Sequence, residues 1–167
     1  QQIMLTIRSN TISPKPPYYI GYYVLVLLIK SLSGLPLSSI NAWLTPVAAG
    51  LLVPLSIYGM LRYAVAERRY AVLLPLVFLI FPYAELIQST PQSASFVWTL
   101  TVITLCFIRL SAPVLPWSII ILSALAAAAF HPLTGVPLIL AVGIAYVWSS
   151  NMRETQRKSA LGFLLTA

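Results

Sequence analysis

The stretch Lys15-Pro16-Pro17-Tyr18-Tyr19 holds the residue types best suited to chemistry in this chain. Its two prolines fix the backbone and deliver an ammonium and two phenol rings to the start of an apolar run. The ammonium of Lys15 can neutralise a lipid phosphate, and the rings of Tyr18 and Tyr19 can pack on an isoprenoid chain or a sugar. Lysine and tyrosine are also ordinary anchors at a membrane interface, so the residues alone leave both interpretations open.

Three further polar residues, Glu85, Gln88 and His131, stand near the ends of apolar runs. Glu85 is either a carboxylate in a polar cavity, where it would bind a cation or sugar hydroxyls, or an interfacial residue that reaches headgroups. Gln88 belongs to a polar connector that either hydrogen-bonds a hydroxyl-rich ligand or forms an ordinary turn. His131 lies between two runs, where it either touches a substrate or caps a helix.

Residue counts exclude several kinds of catalytic centre. The sequence has no Asp, one His and one Cys, so it can build neither an Asp-His-Ser set nor an ordinary zinc site. Its acidic residues, Glu67, Glu85 and Glu154, fall on different connectors or runs and form no evident pair for acid and base catalysis. We therefore assign no catalytic residue, metal ligand or cofactor to this chain, and leave open a divalent metal ion in the complete protein.

The composition identifies the elements that must position these residues. Of 167 residues, 59% are hydrophobic and 8% are charged, and the mean hydropathy is +0.90, whereas a soluble domain carries about 25% charged residues. A membrane span needs about 20 apolar residues. We predict an all-α, polytopic transmembrane helical bundle of about six spans, with the start of a seventh. The six apolar runs cover residues 18–35, 39–61, 70–87, 94–110, 114–130 and 133–148.

The apolar runs also define the organisation of the chain. We expect an extramembrane or juxtamembrane segment at residues 1–17, a transmembrane bundle at 18–150, a basic loop at 151–160 and the start of a further apolar segment at 161–167. Short connectors imply antiparallel neighbouring helices. Because the sequence starts without Met and stops inside an apolar run, we expect a fragment of a longer protein.

The positive charges bear on partners and orientation. The net charge is +7, but Lys and Arg are scattered or lie between apolar runs, which indicates membrane flanks and no nucleic-acid partner. Basic residues follow the second, fourth and sixth runs, and the positive-inside rule makes that side cytoplasmic. The same rule places Lys15 there too. We expect a multi-pass integral protein of the cytoplasmic membrane that contacts membrane lipid. The basic connectors hold Arg62, Arg68 and Arg69, then Arg109, then Arg153, Arg157 and Lys158.

The order of these motifs resembles a known family. Lys15-Pro16-Pro17-Tyr18-Tyr19 is followed by Ser39-Ile40-Asn41-Ala42-Trp43-Leu44 and then Leu61-Arg62-Tyr63. This order is similar to the N-terminal third of GT-C superfamily glycosyltransferases, which include the lipid A aminoarabinose transferases and the protein O-mannosyltransferases. The resemblance runs from about residue 15 to 110, and His131-Pro132-Leu133-Thr134 is similar in style to later helices of that family.

The resemblance implies a membrane enzyme that takes a sugar from a polyprenyl-phosphate donor on the extracytoplasmic face. It implies that Lys15 contacts the donor phosphate, that Tyr18 and Tyr19 line the site, and that Glu85, Gln88 and His131 are candidates for the same cavity. The family's catalytic loop is acidic, but no Asp or Glu occurs in residues 1–66, so that loop lies upstream or the chain is not catalytic. The family also places the Lys-Pro-Pro segment outside the cytoplasm, opposite to the charge pattern, and the orientation stays open.

Two other functions remain as alternatives. The absence of Asp and of a paired acidic site favours a non-catalytic membrane subunit that packs with other subunits in a larger complex. Glu85 and the proline-broken helices are features of a transporter with its site near the middle of the membrane.

Overall fold

The computed structural model describes residues 19–64, 71–73, 75 and 88–166, with side chains at 19–63, 71–73, 75 and 88–152. Within these ranges the chain is helical and contains no strand, which confirms the predicted all-α class for the described part. Residues 71–73 and 75 are helical as well. Five longer helices are α1 (Ile20–Ser33), α2 (Leu37–Ala64), α3 (Pro91–Ser111), α4 (Trp117–Phe130) and α5 (Pro132–Thr166).

Three helices are long and apolar enough to cross a membrane: Leu37–Tyr63 in α2, Pro91–Ser111 in α3 and Pro132–Met152 in α5. The remaining two, α1 and α4, have 14 residues each and rise about 21 Å, less than the roughly 30 Å of a hydrocarbon core. Most of the predicted run 70–87 lies outside the described residues. The described structure thus has three helices of spanning length, fewer than the predicted six.

Two prolines and one glycine shape the first two helices. Pro46 and Pro54 lie inside α2 without ending it, because neighbouring helices can satisfy the freed backbone groups in a membrane protein. Helix α1 ends at Gly34, which has a φ of 67° and donates its backbone N–H to the carbonyl of Lys30 at 2.9 Å. This left-handed conformation is one that glycine adopts without strain.

Helices α2 and α3 run in the same direction. The backbone N–H of Thr45 donates to Oγ of Ser89 at 3.3 Å, just before α3 begins. Farther along both helices, Val53 and Val97 pack in one buried cluster. The two helices are therefore parallel, and α2 begins about two turns before the level at which α3 starts.

Helix α4 runs antiparallel to α3, and α5 runs antiparallel to α4. Oγ of Ser95 donates to the carbonyl of Ala127 at 3.2 Å, and Nε1 of Trp98 donates to the carbonyl of Ser123 at 2.8 Å. Ser95 also hydrogen-bonds the hydroxyl of Thr134 in the first turn of α5. A single residue, His131, separates α4 from α5.

The group of α3, α4 and α5 therefore has two distinct ends. We call the end where α3 and α5 begin and α4 stops the histidine end; it includes residues 88–90 and His131. The opposite end, where α2 and α3 stop, carries Arg62 and Arg109 in the last helical turns. We call it the basic end.

Helix α1 starts at the histidine end, because Tyr19 stacks on His131. The chain returns to the same end at Thr45, so α1 and the first turns of α2 extend beyond it. The charge pattern predicts that the N-terminal residues share the side of Arg62, but Tyr19 lies at the opposite end. Residues 1–18, to which that prediction applies, lie outside the described residues, so it stays a prediction.

A buried apolar cluster holds α3, α4 and α5 together, and small side chains in it allow close helix packing. The outer surfaces are apolar as well: Leu32 is 80% exposed and Leu133 is 82% exposed. Many other large apolar side chains also face outward. Such a surface is typical of contact with lipid. The buried cluster between α3, α4 and α5 comprises Val102, Cys106, Ile120, Ala124, Ala127, Leu138 and Val142.

Helix α5 is longer than predicted. It continues without a break through residues 151–160, which we expected to form a basic loop, and through most of 161–167, and it ends at Thr166. The charges in 151–160 suggested a solvated connector, but this segment contains no Gly or Pro and includes Met, Arg, Glu, Gln, Lys and Ala. These residues favour a helix, and the preceding helix is already formed, so the helix propagates.

Candidate functional site

His131 is fixed by backbone hydrogen bonds on both sides. Its N–H donates to the carbonyl of Ala127 at 3.0 Å, and its own carbonyl accepts from the N–H groups of Thr134 and Gly135 at 3.2 and 3.0 Å. The backbone is extended at His131 (φ −157°, ψ 105°), as expected for a residue before proline, and Pro132 starts the next helix. The imidazole is consequently held at the turn between α4 and α5.

A close approach of two backbones makes this turn possible. At Gly135, an added Cβ would overlap the backbone of Ala128. Only glycine lets the first turn of α5 lie this close to the end of α4. The position of His131 thus depends on a residue four positions away in the sequence.

Tyr19 stacks on His131, with ring centroids 5.4 Å apart and an angle of 26° between the rings. A second glycine permits this contact: a Cβ on Gly21 would lie 2.8 Å from the carbonyl carbon of Ala129. The start of α1 therefore packs directly on the end of α4. Two of the sequence-predicted site residues come together here.

The connector at residues 88–90 joins the same site. The hydroxyl of Tyr22, a side chain that is 2% exposed, donates to the carbonyl of Ser89 at 3.2 Å. Tyr22 lies three residues after Tyr19, and residues at this spacing are neighbours on a helix surface. Oγ of Ser89 accepts from the backbone of Thr45 in α2. The connector is thereby tied to both α1 and α2.

The start of α3 is capped by the same connector. Oγ1 of Thr90 accepts from the N–H of Ser93 at 3.1 Å, and Pro91 occupies the first helical position. This is a favourable N-terminal cap. It explains why Pro91 to Ser93 are helical, although the polar composition predicts a connector there.

Three buried polar atoms around these contacts lack a hydrogen-bond partner: Oδ1 of Asn41, Oγ1 of Thr45 and Nδ1 of His131. Thr45 is 1% exposed and His131 is 8% exposed. Asn41 and Thr45 lie one turn apart on α2. Buried polar groups are nearly always hydrogen-bonded, so these atoms are suited to receive the hydroxyl groups of a ligand or bound water.

An apolar groove adjoins the polar residues on the side of α1 and α2. Its cavity volume is about 560 Å³. Ile40 and Leu44 line it and also pack in the buried cluster that contains Tyr22. The groove is open to the outside of the bundle, and Asn41, Thr45 and His131 are not among its lining residues. Other lining residues are Ile29, Leu35, Ser39, Trp43, Val47, Ala48, Leu51 and Leu52.

Some of the predicted site residues are in contact in the structure, and others lie outside the described residues. Tyr19 and His131 are in contact, and Gln88 lies beside Ser89 as an exposed residue. Lys15, Tyr18 and Glu85 lie outside the described residues, so their predicted roles stay predictions. Among the described residues, no group of three or more His, Cys, Asp or Glu side chains is placed to hold a metal ion.

Three further residues at this end, Tyr22, Asn41 and Thr45, were not predicted as site residues from the sequence. Their signal was weak, because a tyrosine or a single amide in an apolar run is common at membrane interfaces. The spacing of Asn41 and Thr45, one helical turn inside a span, was the feature that could have identified them.

No family model, curated protein or solved structure matches this chain.

Proposed function

We propose that this chain is part of a multi-pass integral-membrane glycosyltransferase that uses a sugar donor linked to polyprenyl phosphate. The observation that carries the proposal is the stack of Tyr19 on His131, which joins the end of the Lys-Pro-Pro-Tyr-Tyr motif to a buried imidazole. Lys15 precedes Tyr19 by four residues and would meet the donor phosphate near this site. The resemblance to the GT-C superfamily supplies the class of reaction.

The shape of the site supports an amphipathic ligand. The apolar groove between α1 and α2 suits an isoprenoid chain, because its described lining is almost entirely apolar. The buried acceptors and donors of Asn41, Thr45 and His131 suit sugar hydroxyls or a phosphate. Tyr18 would complete the aromatic lining, and Glu85 and Gln88 would lie in the same cavity.

We also propose six apolar segments within the cytoplasmic membrane, with α1 reaching only part of the way across. The parallel course of α2 and α3 supports this arrangement, because the chain between Ala64 and Gln88 has to return from the basic end to the histidine end. The apolar run 70–87 would form the returning span. With the basic end cytoplasmic, the histidine end faces the other side, as the resemblance requires of the Lys-Pro-Pro segment.

The phosphate role is tested with the complete protein in its membrane. Lys15→Ala is expected to weaken polyprenyl phosphate binding by about tenfold, because a charge-assisted contact is lost, and to slow the release of polyprenyl phosphate from the sugar donor. Lys15→Arg should retain both. Lys30→Ala, in the last turn of α1, is the matched control. Unchanged binding and release by Lys15→Ala would remove Lys15 from the donor site.

A separate experiment tests whether the isoprenoid chain lies in the apolar groove. Ala48 lines the groove, and Ala48→Phe is expected to fill part of it and weaken polyprenyl phosphate binding. Ala42→Phe, at an exposed position of the same helix, is the control. Equal affinities of these two variants would place the isoprenoid chain elsewhere.

The alternatives predict other results. A non-catalytic subunit would bind no polyprenyl phosphate and would purify with further membrane subunits. A transporter would lose uptake on Glu85→Gln. Neither outcome is expected for the glycosyltransferase.

A further inference from the structure

A second groove lies at the basic end, between the last turns of α3 and the middle of α5. It consists of two adjoining cavities of about 810 and 190 Å³. The two cavities share lining residues, so they form one continuous groove. The shared residues are Phe107, Leu110, Ala141 and Ala145.

The polarity of this groove changes along its length. The larger cavity, at the point where α3 stops, includes the polar residues Arg109, Ser111 and Ser149 in an otherwise apolar lining. The smaller cavity is lined by apolar residues such as Ile103 and Leu138. Six residues of helix, from 103 to 109, rise about 9 Å, so the apolar part extends from the helix end toward the middle of the bundle.

Aromatic residues mark the polar part as the interfacial level. The guanidinium carbon of Arg109 lies 6.0 Å from the ring centroid of Trp117, and Trp117 meets Tyr146 edge to face at 5.5 Å. Trp148 lines the groove. Tryptophan and tyrosine settle at the headgroup level of a membrane. The cation therefore lies where a lipid headgroup would lie, and the apolar part lies where its acyl chain would lie.

We propose that this groove binds an anionic phospholipid, with the headgroup phosphate at Arg109 and an acyl chain along the apolar cavity. Charge complementarity carries the choice of ligand: Arg109 lines the mouth, and Arg153 and Arg157 lie farther along α5, the helix that forms the other wall of the groove. Arginine matches the geometry of phosphate oxygens. Anionic lipids are also enriched in the leaflet that faces the cytoplasm.

The test uses the intact protein in detergent. It is titrated separately with phosphatidylglycerol and with phosphatidylcholine of the same acyl chains, and bound lipid is counted by native mass spectrometry. The wild type should bind phosphatidylglycerol about fivefold more tightly, as expected for one basic side chain near a phosphate. Arg109→Gln should abolish this preference, whereas Arg109→Lys should retain most of it.

Arg62→Gln is the matched control, because Arg62 lies in the last turn of α2 and is not a residue of the groove. Its preference should stay close to that of the wild type. Equal losses in Arg62→Gln and Arg109→Gln would mean a general attraction to the basic end and would overturn the proposed site. A wild type without preference would overturn it as well.

A steric variant tests the acyl-chain part separately from the charge. Ala141 is exposed and lines both cavities, so Ala141→Phe should fill the groove and lower the affinity for phosphatidylglycerol about fivefold without removing a charge. Leu125→Phe, at an exposed position of α4, should leave it unchanged. Unaltered binding by Ala141→Phe, or no lipid binding because another protein segment fills the groove, would contradict the proposal.

Discussion

The two ends of the bundle place polar groups in opposite ways. At the histidine end several polar side chains are buried, and three hydrogen bonds there join a side chain to a backbone atom in a distant part of the chain. At the basic end Arg62 and Arg109 lie in the last turns of parallel helices, and Arg109 lies beside the ring of Trp117. Close backbone contacts therefore hold the helices together at the histidine end. The basic end instead carries the cations and aromatic side chains that are typical of a membrane interface.

The largest expected effect comes from the turn at the histidine end. Gly135→Ala places a Cβ into the backbone of Ala128 and should lower the free energy of unfolding by about 2 kcal/mol or more. Gly143→Ala is the matched control, because it lies in the same helix with open space around it. It should stabilise the protein by about 0.5–1 kcal/mol. Unfolding in detergent, followed by tryptophan fluorescence, checks both, and similar midpoints would refute the close approach.

Much of the helical arrangement could be predicted from the sequence. The runs 39–61 and 94–110 were long, apolar and bordered by Pro, Gly or polar residues, so α2 and α3 begin and end within a few residues of the predictions. The length of α5 was mispredicted, because charge indicated a loop at 151–160 whereas the helix-forming residues there decided the structure. Local composition thus predicts where helices exist better than where they stop.

The contacts of the site were harder to predict. Tyr19 and His131 were each identified by residue type, but their stacking depends on Gly21 and Gly135, which bring two helices within backbone contact. Asn41 was part of a recognised motif, yet the burial of its Oδ1 atom depends on how α2 meets the connector at residue 89. Such contacts join parts of the chain that are distant in the sequence, and periodicity carries no information on them.

Gly21→Ala should give the next largest effect. The added Cβ meets the backbone of Ala129 and should push α1 away from α4, which we expect to cost about 1.5 kcal/mol through overpacking and to break the stack of Tyr19 on His131. Gly50→Ala, with nothing near the added Cβ, is the control in α2. The same unfolding measurement applies, and an unaffected Gly21→Ala would show that α1 does not rely on this contact.

A hydrogen bond between helices is a smaller contribution. Ser95→Ala removes bonds to the carbonyl of Ala127 and to the hydroxyl of Thr134, and we expect a loss of about 1 kcal/mol, as for hydrogen bonds between membrane helices. Ser118→Ala, at an exposed position of α4, should change stability little. Thermal unfolding of the pair decides this, and equal stability would mean that packing alone holds the histidine end.

The smallest effect is expected at the basic end. Arg109→Gln removes the cation from the face of Trp117 and should cost about 0.5 kcal/mol at low ionic strength. Added salt should reduce the difference in stability between Arg109→Gln and the wild type, because salt screens the charge. It should not change the loss of stability caused by Ser95→Ala. Unfolding midpoints at two salt concentrations measure this contrast. A loss for Arg109→Gln as large as that for Gly135→Ala would contradict the distinction between the ends.

The role of the histidine end in binding is tested most directly by His131→Phe in the complete protein, with polyprenyl phosphate as the probe. Phenylalanine keeps the ring against Tyr19 and removes a buried nitrogen without a hydrogen-bond partner, so stability should stay equal or rise by up to about 1 kcal/mol. Affinity for polyprenyl phosphate should fall at least about fivefold if that nitrogen meets the ligand. Binding equal to the wild type, in a variant of undiminished stability, would contradict the assignment of the donor site to the histidine end.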